Sequence, residues 1–374
     1  MSKDLYIGIM TGTSVDAIDI AIASFNDGII DDIITDEFDF TTGLQNELKS
    51  LTNSICLKTL SQLNIHYTEE IAVAVNEFLS KYRIEKSDVK SIGFHGQTIW
   101  HQPDSELYLG EMVRSTYQLG SASYLAIKTG IDTVGDFRTA DMAVGGQGAP
   151  LIPIFDYSFL RNDAADTIVL NIGGIANITY LPAVGSKNEV IAFDTGAGNC
   201  LIDLAMKKLF DKDYDKNGET GRSGKLNEVT LDSLMSEPFI DKNNPKSTGK
   251  ELFNTVFLEK HNVYTLSPED AISTLTHYTA MSIAHNINKL SISDFTLKIA
   301  GGGARNTFLV DLLQRYSPKA KIETTLLNGV NISDGRESLL MAYLAYLRIE
   351  KKFGNIPSVT GASREVILGA LAKS

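Results

Sequence analysis

One pattern constrains this chain more than any other: a strand, a glycine-bearing turn and a second strand occur twice, about a domain length apart. Leu5 to Met10 is apolar, TGTSVD is turn-rich, and Ala17 to Ser24 is compatible with a strand. From Thr167 to Leu181 the order returns as TIVLN, IGG and IANITYL, with a further strand at Glu189 to Phe193. Copies so far apart fit no short solenoid period and predict two related domains. The length of 374 residues agrees, since a typical domain has ~100 to 200.

Helical signals fill the space between the strands. Ile71, Val75, Phe78, Leu79 and Tyr82 recur at the spacing of one buried helical face. SPEDAISTLTHYTAMSIAHNINKL opens with Ser267 as N-cap, Pro268 at the first helical position and Asp270 where a capping-box acid sits. It runs into the strand FTLKIA, the loop GGGARN and the helix TFLVDLLQRY, and a last long helix is expected over Arg336 to Arg348. Asp211 to Asn227 reads as a polar surface excursion. The sum is an α/β chain of two lobes with a cleft between them.

Charge narrows the partners. With 34 basic against 46 acidic residues the net charge is -12, which argues against nucleic acid. An anionic substrate such as ATP stays compatible, because backbone amides and a metal ion supply phosphate affinity locally. No stretch approaches ~20 uninterrupted apolar residues and the first residues show no signal-peptide pattern, so no membrane association is expected. Cys56 and Cys200 are far apart and outside any CxxC spacing, which suits a reducing, cytoplasmic setting.

Two common nucleotide motifs are ruled out by residue identity. Around STGKE, Asn244 stands where a P-loop needs its first glycine, and Glu251 follows Lys250 in place of Ser or Thr; GGGARN carries Asn306 where GxGxxG needs glycine. What remains is a set of loops at strand ends. Thr11, Gly12, Thr13, Ser14 and Val15 offer amides, hydroxyls and a glycine to phosphate, with Asp16 able to hold hydrated magnesium; the alternative is an ordinary hairpin turn. Gly173 and Gly174 occupy the matching point of the second copy. Asp194 closes an apolar strand beside Gly196 and Gly198, where a carboxylate can serve as general base; the alternative is a helix cap, for which Asn199 is better placed. Gly301, Gly302 and Gly303 would let adenine or ribose approach the backbone, or else permit close strand–helix packing. His95, Gln97, Asp136, Arg138, Asp141 and Gln147 form a hydrogen-bonding set suited to sugar hydroxyls and a carboxylate, each also readable as a loop stabiliser.

Taken in order, GIMTGTSVDAID, GFHGQTIWHQP, YQLGSASYLA, GDFRTADMAVGGQGAPLIP, LNIGGIANIT, FDTGAGN, PKSTGKELFN, AGGGARN and DGRESLLMAYLA resemble the anhydro-N-acetylmuramic acid kinases, over nearly the whole chain. The resemblance implies an actin/hexokinase-like architecture of two RNase H-like lobes with the active site in the interdomain cleft. We assign residues 1–130 to the first lobe, with a C-terminal segment available to complete it, and 131–374 to the second, which carries the adenosine loop. It further implies that Thr11 to Asp16 hold the ATP phosphates, Gly301 to Gly303 and Asn306 border the adenosine, Asp194 is the base, and Gln97 and Arg138 lie on the sugar side. The implied activity is ATP- and magnesium-dependent opening and phosphorylation of a 1,6-anhydro amino sugar by a homodimer. Ala17 and Ser121 depart from the family's usual glycine and asparagine, the latter bearing on sugar selectivity. The competing expectations are a kinase for another anhydro sugar, such as levoglucosan, and a non-catalytic ATP-regulated sugar-binding protein.

Overall fold

The computed structural model describes residues 4–12, 14–26, 28–51 and 55–374. Two compact units emerge, one formed by residues 1–159 with 327–374 and the other by 160–326. The first unit thus runs past the boundary read near residue 130 and takes back the last segment of the chain. The physical reason lies in the end of the chain, which adds a helix and an edge strand to the first sheet.

The first unit begins with β1 (Leu5–Met10), β2 (Ile18–Asn26) and β3 (Ile29–Phe38), an antiparallel meander. A helix over Leu57–Tyr82 crosses to β4 (Val89–Phe94), which lies parallel to β1. The hairpin of β5 (Gln97–Tyr108) and β6 (Glu111–Leu119) and a helix over Ala122–Thr129 lead to β7 (Thr133–Gly135). The second unit repeats the plan. Its meander is β8 (Asp166–Ile172), β9 (Ile175–Leu181) and β10 (Ile191–Ala197); helices including Cys200–Phe210 and Pro268–Asn288 precede β11 (Phe295–Ala300), and the Thr307–Tyr316 helix precedes β12 (Ala320–Thr324). The short strands β13 (Leu326–Leu327) and β14 (Val330–Asn331) and the Arg336–Ile349 helix lead to β15 (Ala370–Ala372).

The strand orders establish the fold. The first sheet runs β15-β7-β4-β1-β2-β3 and the second β10-β9-β8-β11-β12. Leaving aside β15, each is a meander whose first strand is then flanked by two parallel crossover strands, the RNase H-like order, present twice as the actin/hexokinase-like architecture requires. The hairpin repeat in the sequence is the start of this duplication.

Cores form where the periodicities indicated. On the first sheet Ile7, Ile9, Ile20 and Ile22 pack against Tyr67, Ile71, Val75 and Phe78 of the Leu57–Tyr82 helix. The other face, at Tyr6 and Phe25, meets Tyr343 and Tyr346 of the Arg336–Ile349 helix. In the second unit Ile168, Leu170 and Ile178 pack with Ile283 and Leu309. Ser267 caps its helix as expected, accepting from the Asp270 amide at 3.4 Å. Asp211 to Asn227 is more than a surface excursion: Asp215 is buried within it and accepts from the Thr220 and Gly221 amides at 2.9 Å each.

Candidate active site

In the first unit the loop leaving β1 is tied to its surroundings at several points. The Thr11 hydroxyl is buried 2.9 Å from the Tyr67 hydroxyl. Gly12 O accepts the Val15 amide at 3.0 Å and Gln97 Nε2 at 3.2 Å, so a residue assigned to sugar holds the loop assigned to phosphate. Val15 is β-branched yet sits at φ +54°, a costly conformation that clusters at functional sites. Ser14 is exposed, as is Asp16, whose carboxylate lies 3.4 Å from Lys49 Nζ. Thr13 lies outside the described residues.

Sequence reading missed a second acid beside this loop. Asp19 on β2 pairs in register with Met10, the last residue of β1. Its pKa is pushed up to about 7, first by burial and then by the negative charges of Glu37, Glu337 and Asp334. Strand alternation could have flagged it, as the polar residue between buried Ile18 and Ile20.

His95 and Arg138 form one unit. Arg138 Nη2 lies 2.9 Å from His95 Nε2, and His95 Nδ1 lies 2.7 Å from Gly96 O. A guanidinium only donates, so Nε2 must be the bare acceptor and Nδ1 carries the proton. Burial, then the Arg138 charge, depress the His95 pKa to about 3. Arg138 Nη1 donates to Gly148 O at 2.7 Å, while its buried Nε and Gln97 Oε1 lack hydrogen-bond partners among the described residues. A cavity of about 290 Å³ beside them is lined by Phe94, His95, Gln118, Asp136 and Thr139, but not by Gln97, Arg138 or Gln147. Gln147 is half-buried, its amide donating to Thr360 O. Asp141 is structural: its carboxylate is fully buried and accepts from the Gly148 amide, Asn355 Nδ2 and Thr360 Oγ1.

The His95 shift has a measurable consequence. The unfolded chain binds a proton at this histidine below about pH 6.5, whereas the folded chain does so only below about pH 3. Stability contributed by neutral His95 is therefore present above pH 6.5 and lost as pH falls through that window. Denaturant titrations of His95→Gln should show a pH slope shallower than wild type by up to about 1.4 kcal/mol per unit there. Equal slopes would place a proton on folded His95.

In the second unit Asp194 lies on β10 at a bulge against β9. Its amide donates to Lys246 O at 3.1 Å and its Oδ2 accepts the Thr248 amide at 2.9 Å. Burial raises its pKa to about 6; the Thr248 hydrogen bond and Lys246 oppose the rise and Glu251 adds to it. Neither Asp194 nor Asn199 caps the following helix by its side chain. Asn199 stands at the cap position, but its Nδ2 donates to Ile172 O at 3.3 Å. The cap role assigned to Asn199 is thus corrected: here the carbonyls of Gly173 and Gly174 take the amides of Gly198, Asn199 and Cys200.

The glycine loops separate into packing and open positions. A Cβ on Gly301 would meet Asn171 and Ile172, one on Gly303 would run into the Ile172 side chain, and only Gly302 faces open space. Asn306 is buried and its Oδ1 caps the Thr307–Tyr316 helix, accepting from Leu309 N at 3.0 Å. Gly173 has room around it, and the Lys250 side chain lies over Gly174. The sequence reading assigns Lys250 no role of its own, although the residue lies in the PKSTGKELFN motif.

The family model for anhydro-N-acetylmuramic acid kinase matches residues 4–374. The chain belongs to the anhydro-N-acetylmuramic acid kinase family. Members called anhydro-N-acetylmuramic acid kinase are 40% identical in Pasteurella multocida, over 98% of this chain and 96% of the relative, and 38% identical in Coxiella burnetii, over 99% and 98%. Coverage of this extent takes in both units and every loop described above, so the enzyme class, a phosphotransferase, follows for this member of the anhydro-N-acetylmuramic acid kinase family. Among solved structures, the activator of the 2-hydroxyisocaproyl-CoA dehydratase from Clostridium difficile with bound ADPNP aligns over 93% of this chain and 97% of its own at 13% identity and a TM-score of 0.45. That likeness is too distant to add to what the strand orders establish.

Proposed function

We propose that this protein uses ATP to open 1,6-anhydro-N-acetylmuramic acid and phosphorylate its 6-oxygen, with Asp194 as the base. The observation that carries the reading is the state of Asp194: a carboxylate oriented through Oδ2 by one backbone amide, with a pKa near 6 set chiefly by burial. Such a group is ionised at neutral pH yet basic enough to take a proton in the transition state. Asp194 removes a proton from water as the water oxygen bonds to the anomeric carbon. The bond from that carbon to the bridging 6-oxygen breaks, and the 6-oxygen bonds to the γ-phosphorus as the bond to the ADP oxygen breaks. The products are N-acetylmuramic acid 6-phosphate and ADP, and Asp194 returns its proton to solvent.

The other residues bind and orient. Thr11 to Asp16 receive the phosphates of ATP, and Gly302, with Gly301 and Gly303 shaping its turn, borders the adenosine. The Gly173–Gly174 loop and Lys250 offer further amides and a positive charge to phosphate. His95, Gln97 and Gln147 serve the sugar, and Arg138, with its unpaired Nε, suits the lactyl carboxylate. That guanidinium favours a muramic acid over levoglucosan, which carries no acid. Magnesium, when bound, supplies charge neutralisation on the phosphates. Among the described residues no three His, Cys, Asp or Glu side chains converge as a metal cage, which fits an ion that arrives on nucleotide and needs one or two carboxylates. Asp16 would hold it through water, and the repulsion around Asp19 is of the kind a divalent cation relieves.

Cytoplasmic residence and a role in recycling cell-wall sugar belong to the same reading. They agree with two unpaired cysteines and with the absence, among the described residues, of a helix long and apolar enough to cross a membrane. A homodimer is also part of the proposal, and light scattering should return twice the chain mass. The deciding experiment is turnover in ¹⁸O-labelled water with mass analysis of the sugar phosphate. One labelled oxygen in the product is expected. An unlabelled phosphosugar would exclude hydrolytic opening, and ATP binding without sugar-dependent ADP release, with levoglucosan as well as with the muramic sugar, would favour a binding protein.

A further inference from the structure

We infer that Lys246 is a positioning residue for Asp194, its ammonium anchoring the 244–250 loop so that both backbone contacts to the carboxylate residue stay in place. The inference rests on the reading of Asp194 as the base. Lys246 is 5% exposed, an uncommon state for a lysine, and its side chain turns away from solvent to the end of the Pro238–Asp241 helix. There Nζ donates to Phe239 O at 3.0 Å and Ile240 O at 2.9 Å, and sits 4.7 Å from the centre of the Phe239 ring. These interactions occupy the charged head of a group that is otherwise costly to bury.

The backbone of the same residue reaches the catalytic strand. Lys246 O accepts the Asp194 amide, and two residues on, the Thr248 amide donates to Asp194 Oδ2. The loop between the Pro238–Asp241 helix and these contacts has no strand or helix of its own to fix it. Its one buried side chain from Lys242 to Lys250 is Lys246, so the anchoring of that side chain sets where the Thr248 amide points.

Charge acts in the same direction. Lys246 is among the groups that hold the Asp194 pKa down, with the Thr248 hydrogen bond, against burial and Glu251. Burial brings Lys246 itself down to about 8; Lys289 and Lys242 face it with like charge, Asp241 and Asp194 with opposite charge. Lys289 offers an internal comparison. It donates to Ile240 O and Asp241 O at 3.4 and 3.2 Å and pairs with Asp241, but neither its backbone nor its side chain bonds to Asp194.

The test is the pH profile of kcat/KM for the full chain with MgATP and the anhydro sugar. In wild type the acid limb should fall near pH 6, the ionisation of Asp194. Lys246→Met removes the anchor and the charge, so the limb should move to higher pH by about half a unit to one unit, with a larger loss at pH 6 than at pH 8. Lys246→Gln, which keeps a donor for the carbonyls, should move it in the same direction by less, and serves if the methionine variant does not fold. Lys289→Met should lower thermal stability and leave the limb in place. A limb unmoved in a folded Lys246 variant, while Asp194→Asn lowers turnover by ~10²-fold or more and loses the limb, overturns the role of Lys246 alone. Turnover of Asp194→Asn with the limb intact overturns the base assignment instead.

Discussion

Asp194→Asn should lower kcat by ~10²- to 10⁴-fold, with a much smaller change in KM for the anhydro sugar. The substitution is nearly isosteric, and an asparagine side-chain oxygen can still accept the Thr248 amide that now bonds Oδ2 at 2.9 Å. The strand, the bulge and the loop therefore keep their geometry. On the proposed mechanism, what is lost is the capacity to take a proton as the bond to the anomeric carbon forms. That interaction exists only in the transition state, which is why the loss falls on kcat. A fall of this size corresponds to about 3 to 5 kcal/mol of barrier. The same variant should lose the acid limb near pH 6, since the group whose ionisation produces it is gone. Steady-state kinetics from pH 5 to 9 checks both, and undiminished turnover would remove Asp194 from the mechanism.

Gly8→Ala should be among the most destabilising substitutions in the first unit, at about 3 kcal/mol. A methyl group on Gly8 would be driven into the backbone of the Arg336–Ile349 helix at Ser338 O and Ala342 N. Backbone cannot step aside as a side chain can, so the helix must lift from the sheet. Gly93 on β4 meets the same helix at Met341 O, and Gly93→Ala should behave alike. Gly43→Ala provides the control. It lies in the Thr42–Lys49 helix with nothing within 4 Å of its added Cβ, and should be neutral or stabilising by up to about 1 kcal/mol. Thermal unfolding of the three variants measures the contrast, and a stable Gly8→Ala would mean that the helix does not rest on the strand.

Ser121 illustrates how a departure in sequence can be structural. Its hydroxyl accepts the Tyr124 amide at 3.2 Å and caps the Ala122–Thr129 helix. Serine and asparagine are nearly equivalent caps, so the exchange preserves the helix start and need not bear on sugar selectivity. Asn306 repeats the point from the other side, because a residue read as bordering adenosine spends its side-chain oxygen on a helix cap.

Much of the fold was legible because it rests on local chemistry. The hairpin copies, the Ser267 cap and the buried face of Ile71, Val75, Phe78 and Leu79 are written in turn residues and in period, which need no partner to be recognised. Asp194 was legible as a candidate, since a lone carboxylate at the end of an apolar strand has few structural uses. The contacts that tune it were not. Nothing in PKSTGKE distinguishes the buried Lys246 from the exposed Lys250, for burial depends on which way the 244–250 loop folds over β10.

By itself, then, the sequence determined the strands, the helices and the duplicated hairpin, and it offered candidates for the chemistry, because each is written in neighbours a few positions away. Only the tertiary structure decided that the Arg336–Ile349 helix returns to cover Gly8 and Gly93, that two of the three glycines at 301–303 answer to packing, and that Lys246 and Thr248 clasp Asp194. Those are contacts between segments distant along the chain, and their energies come from burial and backbone hydrogen bonds that no local pattern encodes.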